Sequence, residues 1–321
     1  MIAWLAAAAL AAVVAGLLLH LNARAYARRA EARWPAEGRF IEAEGARLHV
    51  LEAGPTRAQR VLLIHGASAN LRELWHPLAD SLATDHRVIA FDRPGYGHST
   101  RPRRGAHKLA AQAQMAAAVL RAAGDGPAIV VGHSLGGAVA LRLALDFPAL
   151  VSGLVLIAPA GNTYDGDNAW WARLSAMPVL GHLFCGLIVP WVGPIAGQAG
   201  IANNFRPAHA PATYYEDAGV GLVFRPLAFR SSAIDVTATK AEFAAQAPRY
   251  PDIYAPTIIV ASDADYVVST KRHAHKLAGI LPAAELVTAP GAGHMPHRLR
   301  TDLVLTAIRR VNAMASAESQ G

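Results

Sequence analysis

The chain has 321 residues, 53% of them hydrophobic, with a formal charge of +7 and a single cysteine. That much apolar material can build a sizeable core and excludes disorder as the main state. Cys185 alone excludes an intrachain disulfide, and a small buried apolar side chain is its expected use. The positive charge is scattered and forms no basic stripe, which argues against a nucleic-acid partner.

Met1 to Leu21 carry no charged side chain and would reach about 30 Å as a helix, the thickness of a bilayer core. Arg24, Arg28, Arg29 and Arg33 follow at once, while only the amino terminus precedes. This order predicts an uncleaved single-pass anchor over 1–22 and a basic linker over 23–38, with membrane lipid as a partner. The positive-inside bias then puts the residues after Arg24 in the cytoplasm. The triplet Ala23-Arg24-Ala25 leaves a cleaved signal open, which would make the protein secreted or periplasmic.

Beyond residue 38 strand and helix patterns alternate. Strands are predicted over Arg47–Gly54, Val61–Gly66, Arg87–Phe91, Ala128–Gly132, Leu154–Ala158, Thr257–Ala261 and Glu285–Thr288. Helices are predicted over Leu71–Ala83, Ala110–Ala123, Leu135–Phe147, Lys271–Ile280 and Asp302–Met314. Such succession specifies an α/β fold with a mostly parallel sheet and helices on both faces. The core divides into 39–161 and 251–315, with a tail over 316–321. The interruption over 162–250 is too long for a loop and too apolar for disorder, so it is expected to be a helical cap. Pro178, Pro190 and Pro194 break its uncharged stretch into short helices. Trp170, Trp171, Phe184 and Trp191 either pack the cap or line an apolar substrate pocket.

The chemistry gathers at Gly132-His133-Ser134-Leu135-Gly136, between a predicted strand and a predicted helix. A serine on that turn needs strained backbone angles and small neighbours on either side. A serine hydroxyl is a weak nucleophile and needs a base, which in turn needs a carboxylate to orient it. Reactive groups in such sheets sit at the carboxyl ends of strands, which reduces fourteen histidines to few. His294, on the glycine-rich loop after the last strand, is the expected base. His65 and His133 follow strands too, but flank other motifs; His65 is also a candidate substrate contact. Asp265 is the expected carboxylate, with Asp263 as the alternative. The backbone N–H groups of Ala67 and Leu135 would form the oxyanion hole, with Ser68 and Asn70 read as capping the helix that follows.

These residues, together with Asp92-Arg93-Pro94-Gly95-Tyr96-Gly97-His98-Ser99, His65-Gly66 and Gly293-His294, resemble the α/β-hydrolase superfamily over about residues 40–315. The resemblance implies the α/β-hydrolase fold, a cap after the sixth strand, a structural role for Asp92 and Arg93, and a Ser-Asp-His triad. Relatives that use aspartate at the elbow, haloalkane dehalogenases and epoxide hydrolases, are excluded by Ser134. Within the serine branch the resemblance is silent on substrate; the expected anchor, its basic flank and the apolar cap point to a small-molecule hydrophobic or lipid-like ester. Carbon–carbon bond hydrolysis, cofactor-free haloperoxidase activity and a ligand-binding homologue with little turnover remain open. A carbon–carbon hydrolase acting on a dienone acid would need a cation such as Arg72, Arg93 or Arg225. No cofactor or metal is implied, and His273 with His275 is read as an exposed helical pair.

Overall fold

The computed structural model describes residues 1–164 and 166–318. Eight strands form one sheet: β1 (Arg39–Ala43), β2 (Ala46–Ala53), β3 (Arg60–Ile64), β4 (Arg87–Phe91), β5 (Ala128–His133), β6 (Val151–Ile157), β7 (Thr257–Ala261) and β8 (Ala284–Thr288). Their order is β1-β2-β4-β3-β5-β6-β7-β8. The β1–β2 and β2–β4 pairs are antiparallel and all others parallel. β3, β5 and β7 are buried at every residue, as apolar runs covered on both faces must be. β1 has no counterpart among the predicted strands. It closes on β2 through Glu44 and Gly45, both at positive φ (51° and 73°), the backbone that a tight two-residue hairpin demands.

The helices after α1 (Ile2–Arg33) cover the sheet and build the cap: α2 (Arg72–Leu82), α3 (Leu109–Ala122), α4 (Leu135–Asp146), α5 (Trp170–Ala176), α6 (Leu180–Leu187), α7 (Val189–Phe205), α8 (Tyr214–Asp217), α9 (Pro226–Gln246), α10 (Lys276–Ile280), α11 (Pro296–Leu299) and α12 (Thr301–Glu318). One apolar cluster joins α3 and α4 to the sheet, and another joins α2 and α12 to its other face. α5 to α9 lie between β6 and β7, which is the insertion expected over 162–250. The helices break at Pro178, as expected, and at Ile188, whereas Pro190 stands in the first turn of α7 and Pro194 inside it, so neither breaks a helix.

The amino-terminal boundary differs from the expected one. Residues 23–33 are no linker: α1 runs unbroken for 32 residues, and its second half packs Tyr26, Ala30 and Trp34 against the cap. The Trp34 indole donates to the Glu216 carbonyl at 2.9 Å and the Tyr26 hydroxyl to that of Gly221 at 2.9 Å. Among the described residues no single helix is long and apolar enough to cross a membrane. At the other end α12 takes in the first part of the expected tail, and residues 319–321 lie outside the described residues.

Candidate active site

The carboxyl ends of β5, β7 and β8 bring the predicted chemistry to one edge of the sheet. Ser134 stands between β5 and α4 with φ 52° and ψ −121°, a backbone that costs a residue with a side chain about 1–3 kcal/mol. Its N–H donates to the Ile157 carbonyl at 2.9 Å, and its carbonyl accepts from Gly137 and Ala160. Both flanking glycines are required by contact. A Cβ on Gly132 would lie 2.5 Å from the Gly136 carbonyl oxygen, and one on Gly136 would lie 2.2 Å from that of Ile64. Leu135, the first residue of α4, has an N–H outside the helical ladder, so it points free at the helix's positive end.

His294 lies on the loop after β8, buried at 4% exposure. Its Nδ1 lies 2.7 Å from Asp265 Oδ2. Asp265 Oδ1 accepts from the N–H groups of Val267 and Val268, both at 2.8 Å, which fixes the carboxylate. With Nδ1 donating to Asp265, Nε2 of His294 is left as the acceptor, the tautomer a general base needs. Asp263 does something else: its Oδ1 accepts from the Gly291 N–H at 2.9 Å and pins the turn leading to His294.

The loop after β3 abuts the serine, since a Cβ on Gly66 would lie 3.0 Å from Ser134 Cβ. His65 is 1% exposed, its Nδ1 donating to the Gly66 carbonyl at 2.8 Å and its Nε2 accepting from the Arg93 N–H at 3.0 Å. Burial, then the Arg93 charge, pull its pKa down to about 3, so it is neutral scaffold and no substrate contact. Arg93 donates to the Gly66 carbonyl at 2.9 Å and is neutralised by Asp235 of α9 at 3.2 Å. From the cap, Ser232 Oγ accepts the Ser68 N–H at 2.9 Å. The segment around Ala67 is thus clamped from both sides. The N-cap position of α2 is Leu71 and has no side-chain cap, contrary to expectation. Ser68 Oγ pairs with Ser232, and Asn70, whose Oδ1 accepts from the Arg72 N–H at 3.0 Å, donates through Nδ2 to the Ala218 and Gly219 carbonyls of the cap. Asp92 is structural, binding the Leu71 and His98 N–H groups and His49.

Other expectations fall differently. Trp170 and Trp191 are exposed on the outside of the cap, Trp171 packs on Phe229 with ring centroids 5.5 Å apart, and Phe184 joins the cap's own apolar cluster. His275 is exposed, but His273 is buried, its Nδ1 accepting the N–H groups of Gly161 and Asn162.

A buried polar cluster behind His294 was not foreseen. Glu73 of α2 is 3% exposed and accepts from Tyr214 (2.7 Å), His297 Nε2 (2.9 Å) and Arg298 Nε (3.1 Å). Burial raises its pKa, but the His297 hydrogen bond and the Arg298 charge outweigh that and hold the carboxyl well below its usual range. His133 stacks between His297 and His294, with ring centroids 4.4 and 4.9 Å away, and its Nε2 donates to the His294 carbonyl at 3.0 Å. The cap touches the same loop, for the His294 N–H donates to the Asn204 carbonyl at 2.8 Å. The sequence did hold one signal: Glu73 occupies the face of α2 that buries Leu74, Leu78 and Leu82, where a carboxylate needs a partner.

Sheet order, cap insertion and a serine at a strained strand-to-helix turn define an α/β hydrolase. The chain matches the alpha/beta hydrolase family over residues 61–306 and belongs to it. It is 44% identical over 113 residues to Lipase LipV of Mycobacterium tuberculosis, a match covering 35% of this chain and 42% of that protein. The chain therefore spans less than half of that curated relative's length. In fold it is similar to a thermophilic esterase from Thermogutta terrifontis, with TM-score 0.69, 20% identity, and coverage of 87% of this chain and 99% of that one. It is likewise similar to a bacterial membrane phospholipase A, with TM-score 0.60, 23% identity and 98% coverage of both chains.

Proposed function

We propose that the protein is a serine hydrolase that cleaves a hydrophobic carboxylic ester through an acyl-enzyme. Ser134 Oγ attacks the ester carbonyl as His294 Nε2 takes its proton. Asp265 keeps the imidazole in that tautomer and stabilises the imidazolium. The oxyanion forms between the N–H groups of Ala67 and Leu135, where the positive end of α4 adds to its stabilisation. The imidazolium then protonates the leaving alcohol, and water activated by the same base hydrolyses the acyl-serine. The observation that carries this reading is the 2.7 Å bond of His294 to Asp265 at the same sheet edge as the strained Ser134.

The apolar cap supports a hydrophobic acyl group, as do relatives named lipase, esterase and phospholipase. The three arginines considered for a substrate carboxylate are engaged elsewhere: Arg72 with Glu37, Arg93 with Asp235, Arg225 with Glu31. Membrane attachment through the apolar first part of α1, with the domain on the cytoplasmic side, belongs to the same proposal. The support is that Trp4, Leu10, Val13 and Leu18 of that part are exposed. The test is turnover of medium-chain p-nitrophenyl esters by the full chain. Ser134→Ala should abolish it while leaving the circular dichroism spectrum unchanged. Wild-type protein with no serine-dependent turnover across acyl ester and thioester panels overturns the reading.

A further inference from the structure

The cap carries an unusual amount of bare apolar surface. Ile195 is 78% exposed, Leu227 73% and Val179 71%, and Leu180, Leu183 and Val192 are exposed beside them. Isolated exposed apolar residues need no explanation, but this many on three helices that pack on one another, α6, α7 and α9, marks an interface. α6 and α7, bent by 77° about Ile188, have together the length and composition of a broken or re-entrant membrane segment. They also adjoin α1: Tyr26 packs into the same cluster as Phe184 of α6 and Ile201 of α7. α1 thus packs directly beside both cap helices, so the elements that carry the two sets of bare residues are neighbours.

Charge decides what covers them. Between Met1 and Ala30, and again between Asn168 and Tyr215, there is no aspartate or glutamate. Arg24, Arg28 and Arg29 are exposed, and among the described residues none makes an ion pair with a carboxylate. A second copy would set this cationic rim against itself, since a two-fold interface pairs a patch with the same patch. An anionic phospholipid surface complements both parts, its headgroups facing the arginines and its acyl region the apolar side chains.

We propose that α6 and α7 lie in the surface of an anionic bilayer beside α1, so that the cap takes its ester from lipid and not from bulk water. The inference rests on the ester-hydrolase reading for its substrate and on the cap surface for its site. Cys185 is buried at 1% exposure, so Ile195→Cys offers a single reactive thiol for an environment-sensitive fluorophore in the full chain. On adding phosphatidylglycerol vesicles the emission should shift to the blue and be quenched by a lipid-borne spin label, with a smaller response to phosphatidylcholine. An unshifted emission overturns the docking, and so does a shift that grows with protein concentration without vesicles, which assigns the face to a second copy. Leu183→Glu with Ile195→Glu should leave turnover of a water-soluble short-chain ester unchanged and lower turnover of a vesicle-dissolved ester about tenfold. Equal loss on both substrates, or none on either, also overturns the docking. If wild-type protein hydrolyses neither ester, the hydrolase reading fails while the fluorophore still reports on the surface.

Discussion

Replacing Glu73 tests whether the cluster behind His294 holds the catalytic loop. Glu73→Ala leaves the Tyr214 hydroxyl, the His297 Nε2–H and the Arg298 Nε–H without their acceptor, all in a buried site. An orphaned buried donor costs about 1–3 kcal/mol, and removing one member of a buried ion pair about 3–5 kcal/mol. The three losses overlap, and side chains relax, so the expected destabilisation is about 4 kcal/mol. Glu73→Gln keeps the volume and one acceptor and should cost about half of that. Urea unfolding measures both as shifts in midpoint at constant slope. The kinetic consequence follows from the stack of His297, His133 and His294, for a loosened loop misplaces the base. Under conditions where both variants stay folded, kcat should fall about tenfold for Glu73→Ala with KM little changed. Stability within about 1 kcal/mol of wild type, together with full kcat, refutes the coupling.

Asp265→Asn should lower kcat about 10³- to 10⁴-fold by losing the correct imidazole tautomer, whereas Asp263→Asn should leave most of it; steady-state kinetics separates the two carboxylates. Acid should destabilise the fold well above the carboxylate range. Burial, then the Arg93 charge, hold His65 at about 3 in the folded chain, against about 6.5 unfolded. The unfolded chain therefore takes up a proton that the folded one refuses, so stability is full above pH 6.5 and falls toward pH 3. Going from pH 7 to pH 5 costs about 2 kcal/mol from this residue alone. His133 and His297 shift the same way, chiefly by burial, while His49, raised by Asp92 against its burial, works in the opposite sense. An unmoved urea midpoint between those pH values contradicts this. Gly136→Ala places a methyl against the backbone of Ile64 and should give misfolded or inactive protein; a folded variant with normal turnover argues against the elbow as described.

The elbow was legible because its chemistry constrains neighbouring residues: a tight turn writes glycines beside the serine, and strand and helix patterns meet there. His294 and Asp265 could be located because each follows an apolar strand, although only coordinates show that Asp265 reaches the imidazole while Asp263 holds Gly291. The Glu73 cluster was not legible, since its partners lie 141, 224 and 225 residues away. The faces of the cap were hidden for a related reason: an apolar composition sets no side for Trp170 or Trp191. His273 was misread because a short helical segment does not announce which residue the loop at Gly161 will cover. α1 outran its expected end because Tyr26, Ala30 and Trp34 interleave with arginines at helical spacing and find the cap.

The most direct measurement is the rate of fluorophosphonate labelling, with the modified residue mapped by peptide mass spectrometry. The triad predicts rapid, stoichiometric modification of Ser134 in the wild-type chain, and modification slowed by orders of magnitude in His294→Ala. Labelling at another residue, or equal rates in the two proteins, contradicts a serine activated by that histidine.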